Sequence, residues 1–182
     1  NIRPVNPASS KEITRDYFDS LLLEMRLMDS GVPNTEFELY GKKFATPIMT
    51  AALSHLGTFN PDLPNGMVMY GQAASMTDAV HWIGMGSDEE FEAVIRTGAP
   101  TIRIIKPYAD EEKIFSMIRC AEKNGALAVG MDIDHMFDLK GEKDICMGEE
   151  MEVKSSADLK RYVDSTELPF IIKGVLSVQD AL

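Results

Sequence analysis

The stretch Leu-Pro-Phe-Ile-Ile-Lys-Gly-Val at residues 168–175 predicts a buried strand that ends in a lysine. An apolar run without polar alternation is typical of a strand covered on both faces, as in a parallel sheet. Lys173 closes this run, and burying an ammonium group is unfavourable unless the group is paired. Because ligands collect at the carboxyl ends of parallel strands, we predict that Lys173 faces an anionic ligand.

Four further segments share this pattern, since each is short, apolar and bounded by turn signals. They cover residues 47–52, 79–84, 101–106 and 126–134. Helical patterns lie between them, and residues with N-cap side chains precede these helices. Strands that alternate with helices predict βαβ units and a parallel sheet. The predicted N-cap residues are Ser87, Ser156 and Ser177, and the acids at 110–112 open a further helix at its positive end.

Two architectures fit a parallel α/β chain, namely an open doubly wound sheet and a closed barrel. The sequence has neither a glycine-rich dinucleotide fingerprint nor a phosphate-loop motif, which favours the barrel. A (β/α)8 TIM barrel needs eight units and typically about 250 residues. We therefore predict an α/β fold in which this chain of 182 residues holds about the first five βα units as one domain. Residues 1–45 would form an N-terminal extension with a hairpin at 37–44, and residues 46–182 the barrel units.

Composition and charge restrict the partners. The net charge of −11 argues against binding to nucleic acid or to anionic membranes, which require basic surfaces. The two cysteines, Cys120 and Cys146, have no metal-ligand spacing and do not indicate a secreted disulfide scaffold. No apolar run is long enough to span a bilayer. We expect a cytoplasmic protein without a metal site. Because five strands alone would expose a sheet edge and an apolar interior, we also expect a homo-oligomer.

Polar and small residues occupy the predicted strand ends, where a parallel sheet binds its ligands. Two lysines, a tyrosine and a carboxylate at neighbouring ends indicate an anionic or redox ligand. A lysine there has two general uses, because it can stabilise a reduced flavin or form a Schiff base with a carbonyl substrate. The structural alternatives are a surface lysine at position 106 and small residues that serve only strand–helix packing. The residues concerned are Ala51, Ala52, Leu53, Ser54, Gly84, Lys106, Tyr108, Asp132 and Lys173.

Four motifs in series resemble the FMN-dependent α-hydroxy acid oxidases and dehydrogenases, such as lactate oxidase and glycolate oxidase. The motifs lie at residues 46–52, 71–75, 102–108 and 168–175, and the likeness runs from about Asp16 to the end of the chain. The resemblance implies a (β/α)8 barrel that binds FMN at the strand ends. It also implies oxidation of a small-molecule 2-hydroxy acid such as lactate to a 2-oxo acid, with the flavin as hydride acceptor.

The resemblance also implies roles for single residues. Ala51, Ala52, Leu53 and Ser54 would run along the flavin ring, and Gly84 would take the place of a small hydroxyl residue beside it. Tyr108 matches the tyrosine that binds the substrate carboxylate, which makes it the candidate catalytic residue. Lys173 matches the lysine at the N1–O2 edge of the flavin. Lys106 and Asp132 also fall at cofactor-binding positions.

The sequence departs from the family pattern at three places. Lys106 stands where the family usually has glutamine, and Asp132 where it usually has threonine. The histidine base and the phosphate-binding loops of the family belong to the last three units, which lie beyond Leu182. We therefore expect no activity from these 182 residues alone. Two alternatives remain open, a Schiff-base barrel lyase that uses Lys173 and a non-catalytic partial barrel.

Overall fold

The structure is a computed structural model that describes residues 7–58, 60, 62–138 and 140–182. The chain divides into two units, Asn1–Asn34 and Thr35–Leu182. The first unit contains helix α1, Pro7–Ser20, in which Arg15 and Asp19 form an ion pair one helical turn apart. The predicted extension of residues 1–45 thus falls in both units, and its first six residues lie outside the described residues.

The second unit begins with a hairpin, as the alternating residues predict. Strand β1, Phe37–Leu39, pairs antiparallel with β2, Lys42–Phe44. Tyr40 and Gly41 join them, both with positive φ, which is the backbone conformation of a two-residue type I′ turn.

Four parallel strands form the central sheet. They are β3 (His81–Ile83), β4 (Thr101–Ile105), β5 (Ala128–Asp132) and β8 (Phe170–Lys173), and they lie side by side in that order. Four of the five predicted strands are therefore confirmed, with shorter bounds. The pairing register places Asp132 directly opposite Lys173. The α/β class with a parallel sheet is confirmed.

The segment at 47–52 is not a regular strand, although its apolar residues predict one. Two isolated bridges take the place of a ladder in the described chain, Met49 with Val80 just before β3, and Leu53 just after the segment with Ile83 of β3. Between the bridges, the Thr50 hydroxyl accepts the backbone N–H of Trp82 at 2.8 Å, in place of a backbone carbonyl. The N–H of Leu53 then turns back onto the carbonyl of Ala51 at 2.7 Å. A side-chain bond and a tight turn thus replace the ladder.

Five helices belong to the second unit: α2 (Gly66–Met76), α3 (Asp88–Ile95), α4 (Glu111–Lys123), α5 (Ser156–Val163) and α6 (Val178–Ala181). Ser87, Asp110 and Ser177 each accept the backbone N–H three residues ahead, so the predicted N-caps Ser87 and Ser177 are confirmed. The prediction of Ser156 as a cap is wrong by one residue. Ser155 is the cap, because it forms a reciprocal capping box with Asp158.

The polar segment at 136–153 folds into a hairpin that packs on the loop after β4. Its strands are β6, Ile145–Cys146, and β7, Glu149–Glu150. Backbone N–H groups of Ala109 and Glu152 bond across to carbonyls of Glu150 and Pro107, each at 2.8 Å. Met151 between them is fully buried. The segment is therefore a docked hairpin rather than a plain solvated loop.

Two apolar clusters cover the two faces of the sheet. Alternate strand residues, including Ile83, Ile105 and Met131, pack against α3 and α4 on what we call the helix side. The others, including Ile102 and Ile104, pack against Phe44 of β2 on what we call the inner face. The hairpin of β1 and β2 covers the amino-terminal end of the inner face, so the carboxyl end remains for a ligand. Within the described residues, no helix has the length and apolar character needed to cross a bilayer.

Candidate functional site

Three of the predicted site residues meet at the carboxyl ends of neighbouring strands. Asp132 Oδ2 lies 2.7 Å from Lys106 Nζ, and Asp132 Oδ1 lies 2.9 Å from Lys173 Nζ. We call Lys106, Asp132 and Lys173 the strand-end cluster. It is the arrangement that the sequence predicts for strand ends, but with the carboxylate bound between the two lysines.

Strand periodicity places this cluster on the inner face. Side chains two residues apart along a strand share a face of the sheet. Ile104 and Ile171 belong to the inner apolar cluster, and Lys106 and Lys173 each follow two residues later. Asp132 lies opposite Lys173 in the register, so all three polar groups end the same apolar wall.

The surroundings of Asp132 keep it ionised. Its side chain is only 9% exposed, and this burial alone would raise its pKa. Hydrogen bonds from Asp134, Lys106 and Lys173 outweigh the burial and lower the pKa to about 2. The hydrogen bond to Asp132, followed by burial and by the negative charge of Asp132, raises the pKa of Asp134.

Lys173 remains an ammonium ion with free donors. Burial alone would lower its pKa, but the hydrogen bond and charge of Asp132 and the charge of Asp134 raise it. A Schiff-base nucleophile requires a neutral amine, so this setting does not favour the lyase alternative. An ammonium group has three N–H donors, and within the described residues Lys173 uses one of them, to Asp132. The others remain for a ligand.

Gly174 permits the close approach of Asp134, a contact that the sequence does not reveal. Gly174 has a φ of +84°, in the left-handed region. A Cβ atom at this position would lie 2.5 Å from Cγ of Asp134, closer than real contacts allow. Gly174, directly after Lys173, therefore allows the Asp134 carboxyl group to approach the strand-end cluster.

The small residues predicted to lie along the ring form a separate group beside β3. The N–H of Gly84 donates to the carbonyl of Leu53 at 2.9 Å. A Cβ atom at Gly84 would lie 2.8 Å from the carbonyl oxygen of Ala52, so only glycine fits there. Ser54 bonds to His55, and the Tyr70 hydroxyl accepts the N–H of Ala51 at 2.9 Å. No hydrogen bond or ion pair joins residues 51–54 or Gly84 to the strand-end cluster in the described chain.

Tyr108 lies on the helix side rather than in the strand-end cluster. The chain turns directly after Lys106, because the Tyr108 N–H bonds to the Lys106 carbonyl at 2.8 Å. The ring is 2% exposed, and Lys113 Nζ lies 4.3 Å from its centroid while pairing with Glu149. Burial, followed by the charges of Glu149 and Cys146, raises the pKa of Tyr108 to about 12. Its hydroxyl is therefore protonated at neutral pH.

Tyr108 lines a cavity of about 480 Å³ that opens beside α3 and α4. The cavity has an apolar part from methionines and a polar part from charged side chains. None of its lining residues belongs to the strand-end cluster. The lining includes His55, Met85, Tyr108, Lys113, Met117 and Glu149.

Two further polar residues, Arg103 and His81, are buried on the helix side, and the sequence does not predict the hydrogen bonds of Arg103. Arg103 of β4 donates to Asp88 Oδ1 at 2.7 Å and to the carbonyl of Met117 at 3.2 Å. His81 is the core histidine that its mid-strand position predicts, and its Nδ1 lies 3.0 Å from the Thr50 hydroxyl. Burial lowers the pKa of His81 to about 4, and its Nε2 has no hydrogen-bond partner among the described residues.

None of the three histidines contacts the strand-end cluster. His55 bonds to Ser54, His81 to Thr50, and His135 Nδ1 lies 2.6 Å from Asp144 Oδ2. No group of three or more histidine, cysteine, aspartate or glutamate side chains in the described parts of the chain is arranged to bind a metal.

A sequence model of the FMN-dependent dehydrogenases matches residues 6–158. The chain belongs to this family. FMN is the cofactor that the family uses, as the predicted resemblance implies. No curated protein sequence matches the chain significantly.

Solved structures of mandelate oxidase have the same fold. A mandelate oxidase mutant with (S)-mandelic acid has a TM-score of 0.79 and 20% identity, and the match covers 97% of this chain and 56% of that one. Mandelate oxidase itself gives a TM-score of 0.76 and 20% identity over 97% and 57%. A mutant with a monooxide FMN adduct gives 0.67 and 21% over 81% and 46%. The chain thus spans about half the length of these neighbours, and the likeness confirms a partial TIM barrel.

The strand-end cluster fits the chemistry of FMN. Below it, the inner face presents the apolar side chains of Trp82, Ile104 and Ile171, which suit an aromatic ring. At its upper edge, two ammonium groups and one carboxylate leave a net positive charge, which suits the polar edge of a reduced flavin. Lys173, the most exposed of the three, is accordingly the residue that would contact this edge, with Asp132 and Lys106 bonded beside it.

Proposed function

We propose that the protein containing this chain is an FMN-binding oxidoreductase that oxidises a 2-hydroxy acid, such as lactate, to the corresponding 2-oxo acid. The observation that carries the proposal is the strand-end cluster, a net positive group at the carboxyl ends of parallel strands in a chain of an FMN-dependent family. The mandelate oxidase neighbours, which are solved with mandelic acid, support 2-hydroxy acids as the substrate class.

The residues of this chain would bind and orient the cofactor. When bound, FMN supplies the hydride acceptor for oxidation of the substrate α-carbon. Lys173 would direct its free N–H donors to the polar edge of the ring, with Lys106 beside it. Ala51, Ala52, Leu53 and Ser54, with Gly84, would offer backbone atoms to the ring without bulky side chains.

Tyr108 is proposed to donate a hydrogen bond to the substrate carboxylate. The raised pKa of about 12 supports this role, because the hydroxyl stays a donor throughout the physiological range. Lys113 lines the same cavity, and its ammonium group, 4.3 Å from the centroid of the Tyr108 ring, would add a positive charge beside the bound carboxylate. We expect Tyr108→Phe to raise the KM for the 2-hydroxy acid about tenfold or more, since a hydrogen bond to a charged group contributes about 1.5–3 kcal/mol.

A base for proton abstraction is not assigned to this chain. Proton transfer requires a group within hydrogen-bond reach of the reacting atom. His55 and His81 are hydrogen-bonded to Ser54 and Thr50, and His135 lies beside Asp144, so the described residues show no histidine bonded to the strand-end cluster. The proposed activity therefore belongs to the protein as a whole, and we expect the 182 residues alone to bind cofactor without turnover.

Anaerobic titration tests the proposal. The purified protein is loaded with FMN, and lactate or mandelate is added without oxygen. We expect the yellow flavin absorbance to bleach on addition of a 2-hydroxy acid and not on addition of the matching 2-oxo acid. A protein that retains no FMN contradicts the proposal entirely. A protein that retains FMN but is bleached by no 2-hydroxy acid contradicts only the substrate class.

A cytoplasmic location and a homo-oligomeric state complete the proposal. Two free cysteines, Cys120 and Cys146, support a reducing compartment. Strongly exposed apolar side chains near the end of the second unit, Leu176 and Val178, support association. Sedimentation analysis of the purified protein measures the oligomeric state directly, and a monomer would contradict this part.

A further inference from the structure

We propose that Lys106 and Asp132 are a charge-cancelling pair, so that Lys173 alone determines the net charge that the strand-end cluster presents to the flavin. This inference rests on the proposed function and deepens it. It assigns Asp132 and Lys106 as positioning residues that act through Lys173.

The geometry of Asp132 carries the first step. Its two oxygens are divided between the lysines, Oδ2 to Lys106 at 2.7 Å and Oδ1 to Lys173 at 2.9 Å. The Asp132 side chain is 9% exposed and that of Lys106 is 15%, whereas that of Lys173 is 38%. Lys106 and Asp132 are thus the buried members of the cluster, and Lys173 is the member open to a ligand.

The charge count carries the second step. The three ion-paired groups, two positive and one negative, leave a net charge of +1, while the hydrogen bond to Asp132, together with burial, raises the pKa of the neighbouring Asp134 carboxyl and so favours its neutral form. Without Lys106, Asp132 would neutralise Lys173 and the cluster would present no net charge. Without Asp132, two unpaired ammonium groups would lie side by side, and burial makes such a group strongly unfavourable. Removal of either residue therefore changes the net charge of the cluster by one unit, in opposite directions.

A double-mutant cycle on the FMN-loaded protein tests the inference. The reduced flavin carries negative charge at its N1–C2 edge, so nearby positive charge favours the reduced form and raises the reduction potential. The potential therefore gives the ratio of the affinities for reduced and oxidised FMN. We expect Lys106→Gln to lower this ratio about tenfold and Asp132→Thr to raise it about tenfold, because one charge is removed close to the ring. The double variant Lys106→Gln/Asp132→Thr should return to within about threefold of the wild type.

Other outcomes are equally decisive. Single variants that shift the ratio in the same direction, or a double variant displaced as far as either single one, overturn the proposal. Lys106→Arg keeps the charge and should keep the ratio. If a single variant fails to fold and the double variant folds, the pairing is supported, whereas a double variant that fails to fold overturns it. A wild-type protein that binds no FMN contradicts the proposed function instead, and the unfolding free energies of the same four proteins then test the pairing.

Discussion

Arg103 and Lys106, two cations three residues apart in the chain, differ in their role. Arg103 stabilises the fold, whereas Lys106 belongs to a cluster that can bind a ligand. Arg103 of β4 points to the helix side, is 1% exposed, and bonds to Asp88 and to the carbonyl of Met117. Its guanidinium also lies 4.5 Å from the centroid of Phe91. Lys106 directly follows the same strand, on the inner face, and among the described residues its hydrogen-bond partner is Asp132. Arg103 thus donates to protein groups, whereas the strand-end cluster that contains Lys106 keeps free N–H donors on Lys173 and a net charge.

Removal of the helix-side cation should have the largest effect on stability. We expect Arg103→Met to lower the free energy of unfolding by about 3 kcal/mol, because it removes two hydrogen bonds donated by a buried cation and leaves the Met117 carbonyl without its donor, whereas Asp88 is 39% exposed and can be hydrated. Chemical denaturation measures this change. The folded fraction should bind FMN with unchanged affinity, since Arg103 points away from the inner face.

Arg96→Met is the matched control for this variant. Arg96 is an arginine of the same region, but its side chain is 69% exposed and lies 4.0 Å from its carboxylate partner. Its removal should change the unfolding free energy by less than about 1 kcal/mol. Equal effects of the two variants would contradict the structural role of Arg103.

Acid should destabilise the helix side through His81. Burial lowers the pKa of His81 from 6.5 to about 4, so the folded protein holds the neutral ring. Its contribution to stability is therefore complete above pH 6.5 and is lost as the pH falls towards 4, by a total of about 3 kcal/mol. Unfolding free energies measured across this range should show the loss in the wild type and a smaller slope in His81→Gln. Identical slopes would contradict the assignment.

The inner face should respond to the residue after Lys173. Both Gly174 and Gly125 have positive φ, +84° and +72°, but only at Gly174 does an added Cβ meet a neighbour, the Asp134 carboxyl. We expect Gly125→Ala to lower stability by about 1 kcal/mol through backbone strain alone, and Gly174→Ala by about 2 kcal/mol. Only Gly174→Ala should also weaken FMN binding, because it displaces Asp134 from the cluster. Equal losses, with unchanged FMN affinity, would show that Asp134 is not part of the site.

The predictable part of this molecule is the part that continuous patterns encode. Apolar runs predict the four ladder strands, and local side chains predict the caps at Ser87 and Ser177. The position of Lys106 and Lys173 at the strand ends follows from the same runs, because each lysine closes one of them. The apolar run at 47–52 does not form a regular strand, because the Thr50 hydroxyl accepts the N–H of Trp82 in place of a backbone carbonyl.

Contacts between distant segments were beyond prediction. No sequence pattern reveals that Asp132 bonds to both lysines, since this depends on the pairing of β5 with β8 and of β4 with β5. The burial of Tyr108 depends on the docking of the hairpin at 136–153, whose polar composition indicates only a loop. The sequence offers no side-chain cap for helix α2, and its apolar residues are spread around the helix without an amphipathic pattern.

The affinity of the purified protein for FMN, with and without Lys173, tests the central claim most directly. Flavin fluorescence gives the dissociation constant for the wild type, for Lys173→Met and for the control Lys160→Met, whose side chain on α5 is 73% exposed. The loss of a hydrogen bond to a charged group, about 1.5–3 kcal/mol, should weaken FMN binding about tenfold to a hundredfold in Lys173→Met. Lys160→Met should bind as the wild type does. An unchanged dissociation constant in Lys173→Met would contradict the assignment of the strand-end cluster as the flavin site.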